Sequence, residues 1–345
     1  MRIVQVLLSP RIGGAESLAH QLDVEWTKCG HFSRVIFLDP DPDAASQSPW
    51  QRLISLRRRL AALGPDVVLS HSALPNVYSR LAMVRRVPVC PVLHSATDDM
   101  LDRKLRILER ILLSRTAQIV AVSDEQARVY SSHFRRVYGK VVVIPNGIRG
   151  DIGLGPPPKD PKVVGVLARV AHQKRPFLWL QAACSVSLRF PEIEFRWWGP
   201  LADESIAQQL FIDPPQGRDA KCLNADMVES VFQGPADDVT ARLSEVDVYF
   251  SSAEREALSI SLIEAAGAGI PIVCSKSVAD DLPKEIVATA FETNNPADAA
   301  RAVEHVLENF HELSLLARQM SEEVRQQFSM ELCARRYLDL LHEIA

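Results

Sequence analysis

The chain has 345 residues, of which 47% are hydrophobic and 24% charged. That composition is ordinary for a globular protein and excludes a mainly disordered, collagen-like or coiled-coil chain. At roughly 150 residues per domain, the length predicts two domains. The formal net charge of -4 hides an asymmetry. Residues 1–150 carry 21 Lys+Arg against 13 Asp+Glu, and the remainder carries 18 against 30. A basic half joined to an acidic half is the pattern of a chain whose basic half meets an acidic partner or surface. Charge scattered over solvated faces accounts for it equally well.

At the N-terminus only Ile3–Leu8 forms an apolar run, and Gln5 interrupts it. It is too short for a signal-peptide core or a membrane span. No later run approaches about 18 uncharged apolar residues. A cytoplasmic setting is expected. The six cysteines (Cys29, Cys90, Cys184, Cys222, Cys274, Cys333) are dispersed and form no C-x-x-C pair. Neither a zinc site nor a disulfide framework is expected.

Short β-branched runs alternate with helical patterns along the chain. The first half predicts strands at Ile3–Leu8, Arg34–Leu38, Asp66–Leu69, Val87–Leu93, Gln118–Val122 and Val141–Ile144. Their near-continuous apolar character is that of parallel strands buried on both faces. Helical patterns lie between them, among them Glu16–Lys28, Trp50–Leu63 and Leu101–Ser114. A Pro- and Gly-rich stretch, Gly153–Asp160, is the best linker. The second half predicts strands at Val163–Leu167, Glu194–Trp198, Val231–Gln233, Val246–Phe250, Pro271–Cys274 and Ala288–Phe291. The alternation predicts doubly wound α/β architecture in two Rossmann-like domains. Ligands of such sheets bind beyond the carboxyl ends of the strands, so the cleft between two facing domains is where a site is expected.

Three segments carry candidate chemistry. The first strand runs into Gly13-Gly14 and a helix; paired glycines let a ligand approach the backbone, and a helix N-terminus favours anions. The dinucleotide fingerprint G-x-G-x-x-G is absent there. Arg169 and Lys174 follow the strand Val163–Leu167, and two such cations could clamp a diphosphate or be solvated loop charges. Glu256 stands before a helix predicted over Ser259–Ala268, and Glu264 lies inside it. A carboxylate there can accept two hydrogen bonds from a vicinal diol such as a ribose. Glu256 could equally be a carboxylate favoured by the helix macrodipole.

The E-x7-E pair Glu256/Glu264 within SSAEREALSISLIEAAGAGIPIV resembles the signature of retaining GT-B glycosyltransferases of family 4 (group 1). Further segments match in order: GGAE at Gly13–Glu16, His94 after a strand, IVAVS at Ile119–Ser123, VVVIPNGI at Val141–Ile148, LARVAHQK at Leu167–Lys174 and FSMELCARRYLDLL at Phe328–Leu341. The resemblance implies a GT-B α/β fold with two Rossmann-like doubly wound domains facing a central cleft. An acceptor domain would span 1–155, a nucleotide-sugar donor domain 156–327, and a last helix within 328–345 would cross back to the N-terminal domain. It also implies roles. Arg169 and Lys174 would hold the donor diphosphate, Glu256 the donor sugar hydroxyls and Glu264 the ribose. Gly13 and Gly14 would lie beside the donor phosphates and His94 near the reacting sugar. The chain departs from the family at Ala257-Leu258-Ser259, where Gly-Phe-Gly or similar is usual, at Ala168, usually Gly, and at Ser275–Pro283, which replaces a glycine-bearing loop. Ala257, Leu258 and Ser259 fall where the donor sugar would sit, so the departures bear on donor identity.

The activity so implied is retaining transfer from a nucleoside diphosphate sugar, UDP-sugar favoured over GDP-sugar, to a saccharide or lipid-linked acceptor. Bacterial surface polysaccharide, lipopolysaccharide or glycolipid assembly is the implied setting. No cofactor, metal ion or nucleic acid is expected, since Arg169 and Lys174 would supply the positive charge. The basic amphipathic pattern Leu101–Arg115, and Arg57-Arg58-Arg59 in Trp50–Leu63, would suit a peripheral position on an anionic membrane, or a helix packing its apolar stripe on the sheet. The alternatives are a nonhydrolysing sugar-nucleotide epimerase, a nicotinamide dehydrogenase, disfavoured by the missing fingerprint, and a non-catalytic nucleotide-sugar-binding protein.

Overall fold

The fold was obtained as a computed structural model. The structure describes all residues except 11–12, 42–47, 84–86, 95–102, 135–138, 151, 153–158, 202–203, 213–224, 284 and 287. The chain divides into two compact units: Met1–Gly147 with Phe328–Ala345, and Ile148–Gln327. The division falls between Gly147 and Ile148, ahead of the Pro-rich stretch proposed as the linker, most of which lies outside the described residues.

The first unit runs β1 (Arg2–Leu7), α1 (Gly14–Lys28), β2 (Phe32–Phe37), α2 (Pro49–Leu63), β3 (Val67–His71), α3 (Ala73–Ala82), β4 (Val89–Val92), α4 (Arg103–Leu112), β5 (Ile119–Ala121), α5 (Asp124–His133) and β6 (Val141–Val143). The second runs β7 (Val163–Leu167), α6 (Pro176–Ser187), β8 (Glu194–Trp198), α7 (Glu204–Ala207), α8 (Ala225–Val231), α9 (Val239–Leu243), β9 (Val248–Ser251), α10 (Ile260–Gly267), β10 (Ile272–Ser275), α11 (Lys276–Ala279), β11 (Ala288–Phe291), α12 (Pro296–Glu308) and α13 (Phe310–Gln327). The last helix, α14 (Met330–Ile344), belongs to the first unit. It packs on α1, where the Trp26 indole donates to the Ala334 carbonyl at 3.0 Å.

Each unit holds one parallel sheet, ordered β2-β1-β3-β4-β5-β6 in the first and β11-β10-β9-β7-β8 in the second. Both are doubly wound. The chain steps from β1 to one neighbour, β2, and returns to the other side for β3; β7, β8 and β9 repeat the move. Crossovers of this kind are right-handed almost without exception, so the helices fall on both faces. In the first unit Val4, Val6 and Val68 meet Leu56 and Leu60 of α2 and Tyr78 and Ala82 of α3. The alternate residue Gln5 turns the other way, to α1. In the second unit Trp179 of α6 stacks on Phe250 at 5.6 Å and meets Trp197 and Phe195 edge-on.

Most expected strands stand within one or two residues of their predicted bounds. Val231–Gln233 does not form one: Val231 ends α8, and Phe232 makes a single bridge to Trp197. With Val231 taken into the last turn of α8, Phe232 alone is left to pair with β8. No disulfide framework is expected from the sequence, and Cys29, Cys90, Cys274 and Cys333 are free thiols, but the fully buried Cys184 of α6 is disulfide-bonded. Cys222 lies outside the described residues.

One buried network anchors α4. The fully buried Arg80 of α3 donates to both carboxylate oxygens of Glu109, at 2.8 and 2.5 Å, and to Thr116 at 3.1 Å. Tyr130 of α5 donates to the same carboxylate. Removing one partner of such a pair strands the other charge in the core. Glu109→Gln should therefore cost the first unit about 3–5 kcal/mol, read as a drop in its urea-unfolding free energy. Arg80→Met with Glu109→Met, which buries no unpaired charge, should cost markedly less.

Candidate active site

Open parallel sheets bind ligands where the strand order reverses, because the loops leaving the two strands there part to opposite faces. That point lies between β1 and β3 in the first unit, and between β7 and β9 in the second. The candidate residues after β1, β7 and β9 cluster at these two points, and each unit is described in turn.

In the second unit, the turn leaving β7 is pinned from below. The Trp197 indole donates to the Ala168 carbonyl at 2.7 Å, and Ala168 N–H bonds the Trp198 carbonyl. Gly199 passes so close that a Cβ there would lie 1.9 Å from Ala168 O, which excludes any side chain at that position. Arg169 is exposed and, among the described residues, makes no hydrogen bond or ion pair. A single 3-10 turn, His172–Lys174, follows. Arg175 then takes a left-handed conformation (φ 52°) as the N-cap of α6, with Pro176 opening the helix.

The loop leaving β9 lies against this turn. Lys174 Nζ pairs with Glu256, both side chains largely buried, and Arg175 pairs with Glu254. Ser252 donates to the Lys174 carbonyl at 2.7 Å, and Glu254 N–H to the Gln173 carbonyl at 3.1 Å. From the next loop Ser275 and Ser277 donate to the carbonyls of Ala253 and Glu254. The stretch 252–254 is thus held on one side by its own donors to the 173–174 carbonyls and on the other by the Ser275 and Ser277 hydroxyls. Ala257 and Leu258 are buried, and Ser259 is the N-cap of α10. Its side chain makes no capping bond and instead meets Ser261 Oγ at 3.3 Å. The first N–H groups of the helix are therefore not capped by Ser259.

Glu264 is buried in α10. Tyr249 ties the cluster together: its hydroxyl meets Ser261 Oγ at 2.8 Å and donates to the Leu167 carbonyl at 3.3 Å. Burial pushes its phenol well above the usual range, and the carboxylates of Glu256 and Glu264 add to the shift. Both halves of the E-x7-E pair are thus within electrostatic reach of one hydroxyl.

In the first unit, Gly13 is the N-cap of α1 with extended backbone, and Gly14 is the helix's first residue. A Cβ on Gly13 would meet the Glu16 carboxylate at 2.5 Å. Arg11 and Ile12 of the same loop lie outside the described residues. His94, half-buried, follows β4. Its Nε2 meets Nδ1 of His71 at 2.9 Å, and His71 Nε2 meets Gln5 Oε1 at 3.1 Å.

The structure thus joins Lys174, Glu256, Ser259 and Glu264 around Tyr249, with Ala257 and Leu258 packed beneath the same loop. Sequence reasoning missed Arg175, Glu254, Tyr249, His71 and Gln5. The complementary charges of Lys174-Arg175 and Glu254-Arg255-Glu256 were a readable signal for the first two. His71 and Gln5 had none, because their meeting depends on β1 lying beside β3.

Two parallel doubly wound sheets with this loop chemistry define the GT-B class of glycosyltransferases. The sequence matches Glycosyltransferase Family 4 over residues 12–151 and Glycosyl transferases group 1 over residues 154–327. The chain belongs to the family 4/group 1 glycosyltransferases. No curated protein sequence matches it. Among solved structures it resembles Anabaena Alr3699/HepE in complex with UDP and glucose (TM-score 0.81, 14% identity, 99% of this chain and 100% of that one). It also resembles the sucrose-phosphate synthase of Thermosynechococcus elongatus (0.78, 15%, 100% and 99%). A third is the lipopolysaccharide outer core galactosyltransferase WaaB (0.66, 13%, 100% of each). At these identities the likeness is one of fold.

The His pair makes stability depend on pH. Burial holds His94 down at about 4, and burial followed by the His94 ring lowers His71 well below the usual value. In the unfolded chain both take up protons near pH 6.5. Below that pH the unfolded state binds more protons than the folded one, so stability falls as pH drops from about 6.5 towards 4. Urea titrations of the first unit across this range should show that loss, with a shallower slope in His94→Asn.

Proposed function

We propose that the protein is a retaining, metal-independent glycosyltransferase that moves a sugar from a nucleoside diphosphate sugar, with UDP-sugar preferred over GDP-sugar. The observation that carries this reading is the Lys174–Glu256 pair at the strand-order reversal of the second unit, with Glu264 and the start of α10 beside it. The solved structure of Alr3699/HepE with UDP-glucose, similar in fold, supports the donor class.

In this reading the bond between the anomeric carbon and the diphosphate oxygen breaks. Its electron pair leaves with the diphosphate while the sugar becomes oxocarbenium-like. Charge grows on the departing diphosphate, and Arg169, Lys174 and the N–H groups opening α10 stabilise it. Glu256 orients Lys174 and accepts hydrogen bonds from donor-sugar hydroxyls. Glu264 accepts from the ribose diol. Gly13 and Gly14 let the donor phosphates approach the backbone, and His94 stands at the reacting sugar. Ala257, Leu258 and Ser259 line the sugar's place without the flexibility of the usual glycines, so a narrower choice of sugar is expected.

The acceptor is a saccharide or a lipid-linked saccharide of a bacterial surface polymer or glycolipid, met at the cytoplasmic face of the membrane. The surface of the first unit supports this. On α4 Ile107, Leu108 and Ile111 are exposed beside Arg103, Lys104 and Arg110; on α2 Trp50 and Ile54 are exposed beside Arg57 and Arg58. Both helices pack against α3. Apolar side chains ringed by cations suit the headgroup region of an anionic bilayer. No helix among the described residues is long and apolar enough to cross a membrane.

Two measurements test these assignments. Lys174→Met should lower turnover of UDP-sugar by about 10²–10³ in protein that still unfolds cooperatively, and Glu264→Gln should weaken binding of free UDP roughly tenfold. Unchanged turnover and affinity would remove the donor site from this loop. For the surface, co-sedimentation with anionic vesicles should be salt-sensitive and be lost on exchanging Trp50, Ile54, Ile107 and Ile111 for Ser. Equal binding to neutral vesicles would count against it.

A further inference from the structure

Gln5 and His71 are buried polar residues without a part in the reaction as so far described. Gln5 is fully buried in the centre of β1, and His71 is buried at the end of β3. A polar group so placed is costly unless fully hydrogen-bonded, and these two make a directed chain. Gln5 Nε2 lies 2.8 Å from the Ala19 carbonyl. A carbonyl only accepts, so the amide nitrogen must be on that side, and Oε1 is the atom facing His71. An amide oxygen also only accepts. His71 therefore carries its hydrogen on Nε2, 3.1 Å from Gln5 Oε1. In the neutral ring Nδ1 is then a bare acceptor. At 2.9 Å from it, His94 Nε2 must be the donor.

From this chain we infer that Gln5 and His71 are positioning residues that lock His94 as the neutral Nε2–H tautomer, leaving Nδ1 as its hydrogen-bond acceptor for a substrate hydroxyl. The inference deepens the role given to His94 above and rests on it. The order of donors runs one way, from His94 through His71 and Gln5 to the Ala19 carbonyl, and ends on a peptide oxygen that takes no proton. The chain orients the imidazole and does not conduct protons. The neutral pair is the one this order of donors requires: a proton added to His71 Nδ1 would remove the acceptor that His94 Nε2–H uses, and protonating both rings would set two cations side by side. A His that accepts from a hydroxyl orients the sugar; an imidazolium in its place would only donate. Fixing the tautomer of a functional imidazole through its other nitrogen is a general device.

The test reads the tautomer directly. Full-length protein labelled with 15N-histidine is followed by long-range 1H–15N correlation at pH 7.5, with the His94 signals identified by their loss in His94→Asn. In the wild type, Nε2 should carry the hydrogen. His71→Leu combined with Gln5→Leu removes both buried polar side chains and takes the acceptor from His94 Nε2; His94 should then exchange between tautomers, and kcat should fall roughly 10–100-fold, the range for losing an outer partner of a metal-bound imidazole, with KM for the donor little changed. His71→Asn places an amide oxygen where Nδ1 was, and should restore both tautomer and kcat. An Nδ1–H tautomer in the wild type overturns the inference. So does an unchanged tautomer in the double variant. A changed tautomer with unaltered kcat overturns the positioning role together with the part given to His94, while the donor site at Lys174 and Glu264 stands or falls on its own measurements.

Discussion

The handedness of the strand–helix–strand crossover is the constraint on which the site depends. A parallel strand can be reached only by a crossover that packs back on the sheet with right-handed sense. Stepping from β1 to β2 and then back past β1 to β3 therefore sends successive helices to opposite faces, and the loops at the reversal separate. The residues leaving β1, β7 and β9 emerge at those separations because of topology, before any side chain is specified. That is why a turn as weak in sequence as Gly13-Gly14 and a pair as ordinary as Arg169 and Lys174 become candidates for chemistry once the strand order is known.

Topology locates the loops, and hydrogen bonds to their backbone shape them. In the second unit the donors come from the core: Trp197 to Ala168, Ser252 to Lys174, Ser275 to Ala253 and Ser277 to Glu254. Each satisfies a carbonyl that a loop would otherwise turn to water. Glycine at 199 is required for the same reason, because the Ala168 carbonyl occupies the space a side chain would need. The aromatic core around Trp179 is thus also the foundation of the loop that carries Lys174.

Much of this was legible in the sequence. Buried parallel strands are continuous apolar runs, and Val163–Leu167, Glu194–Trp198 and Ala288–Phe291 keep their predicted bounds. The E-x7-E spacing placed Glu256 and Glu264 on either side of a helix start, as found. What was hidden depended on neighbours in space. Val231–Gln233 has strand-like residues, but Val231 closes α8 and only Phe232 bridges to Trp197. The segment ALPNVYSRLA carries a proline yet forms α3; proline in the first helical turn gives up an N–H that would have had no partner. The left-handed Arg175 has no local signal, since a non-glycine residue takes that conformation only when its surroundings enforce it. The chain from Gln5 to His94 draws on β1, β3 and the residue after β4, and one-dimensional spacing cannot show that these strands are adjacent.

The opening charge asymmetry acquires a more specific meaning from these contacts. The acidic part of the chain holds the loop proposed for an anionic donor, so net charge works against binding there. Lys174 is already neutralised by Glu256, and Arg175 by Glu254. A diphosphate at this loop must share or displace a carboxylate, whereas Arg169 is exposed and unpaired among the described residues. If the donor sits as proposed, attraction of its diphosphate falls first to Arg169 and to the N–H groups of α10, which carry no counter-charge to remove. In the proposed reading the Lys174–Glu256 pair then acts as a selector. It favours a ligand offering both a phosphate for the cation and hydroxyls for the carboxylate, and the chemical object that carries both side by side is a nucleotide sugar, not a free phosphate or a free sugar.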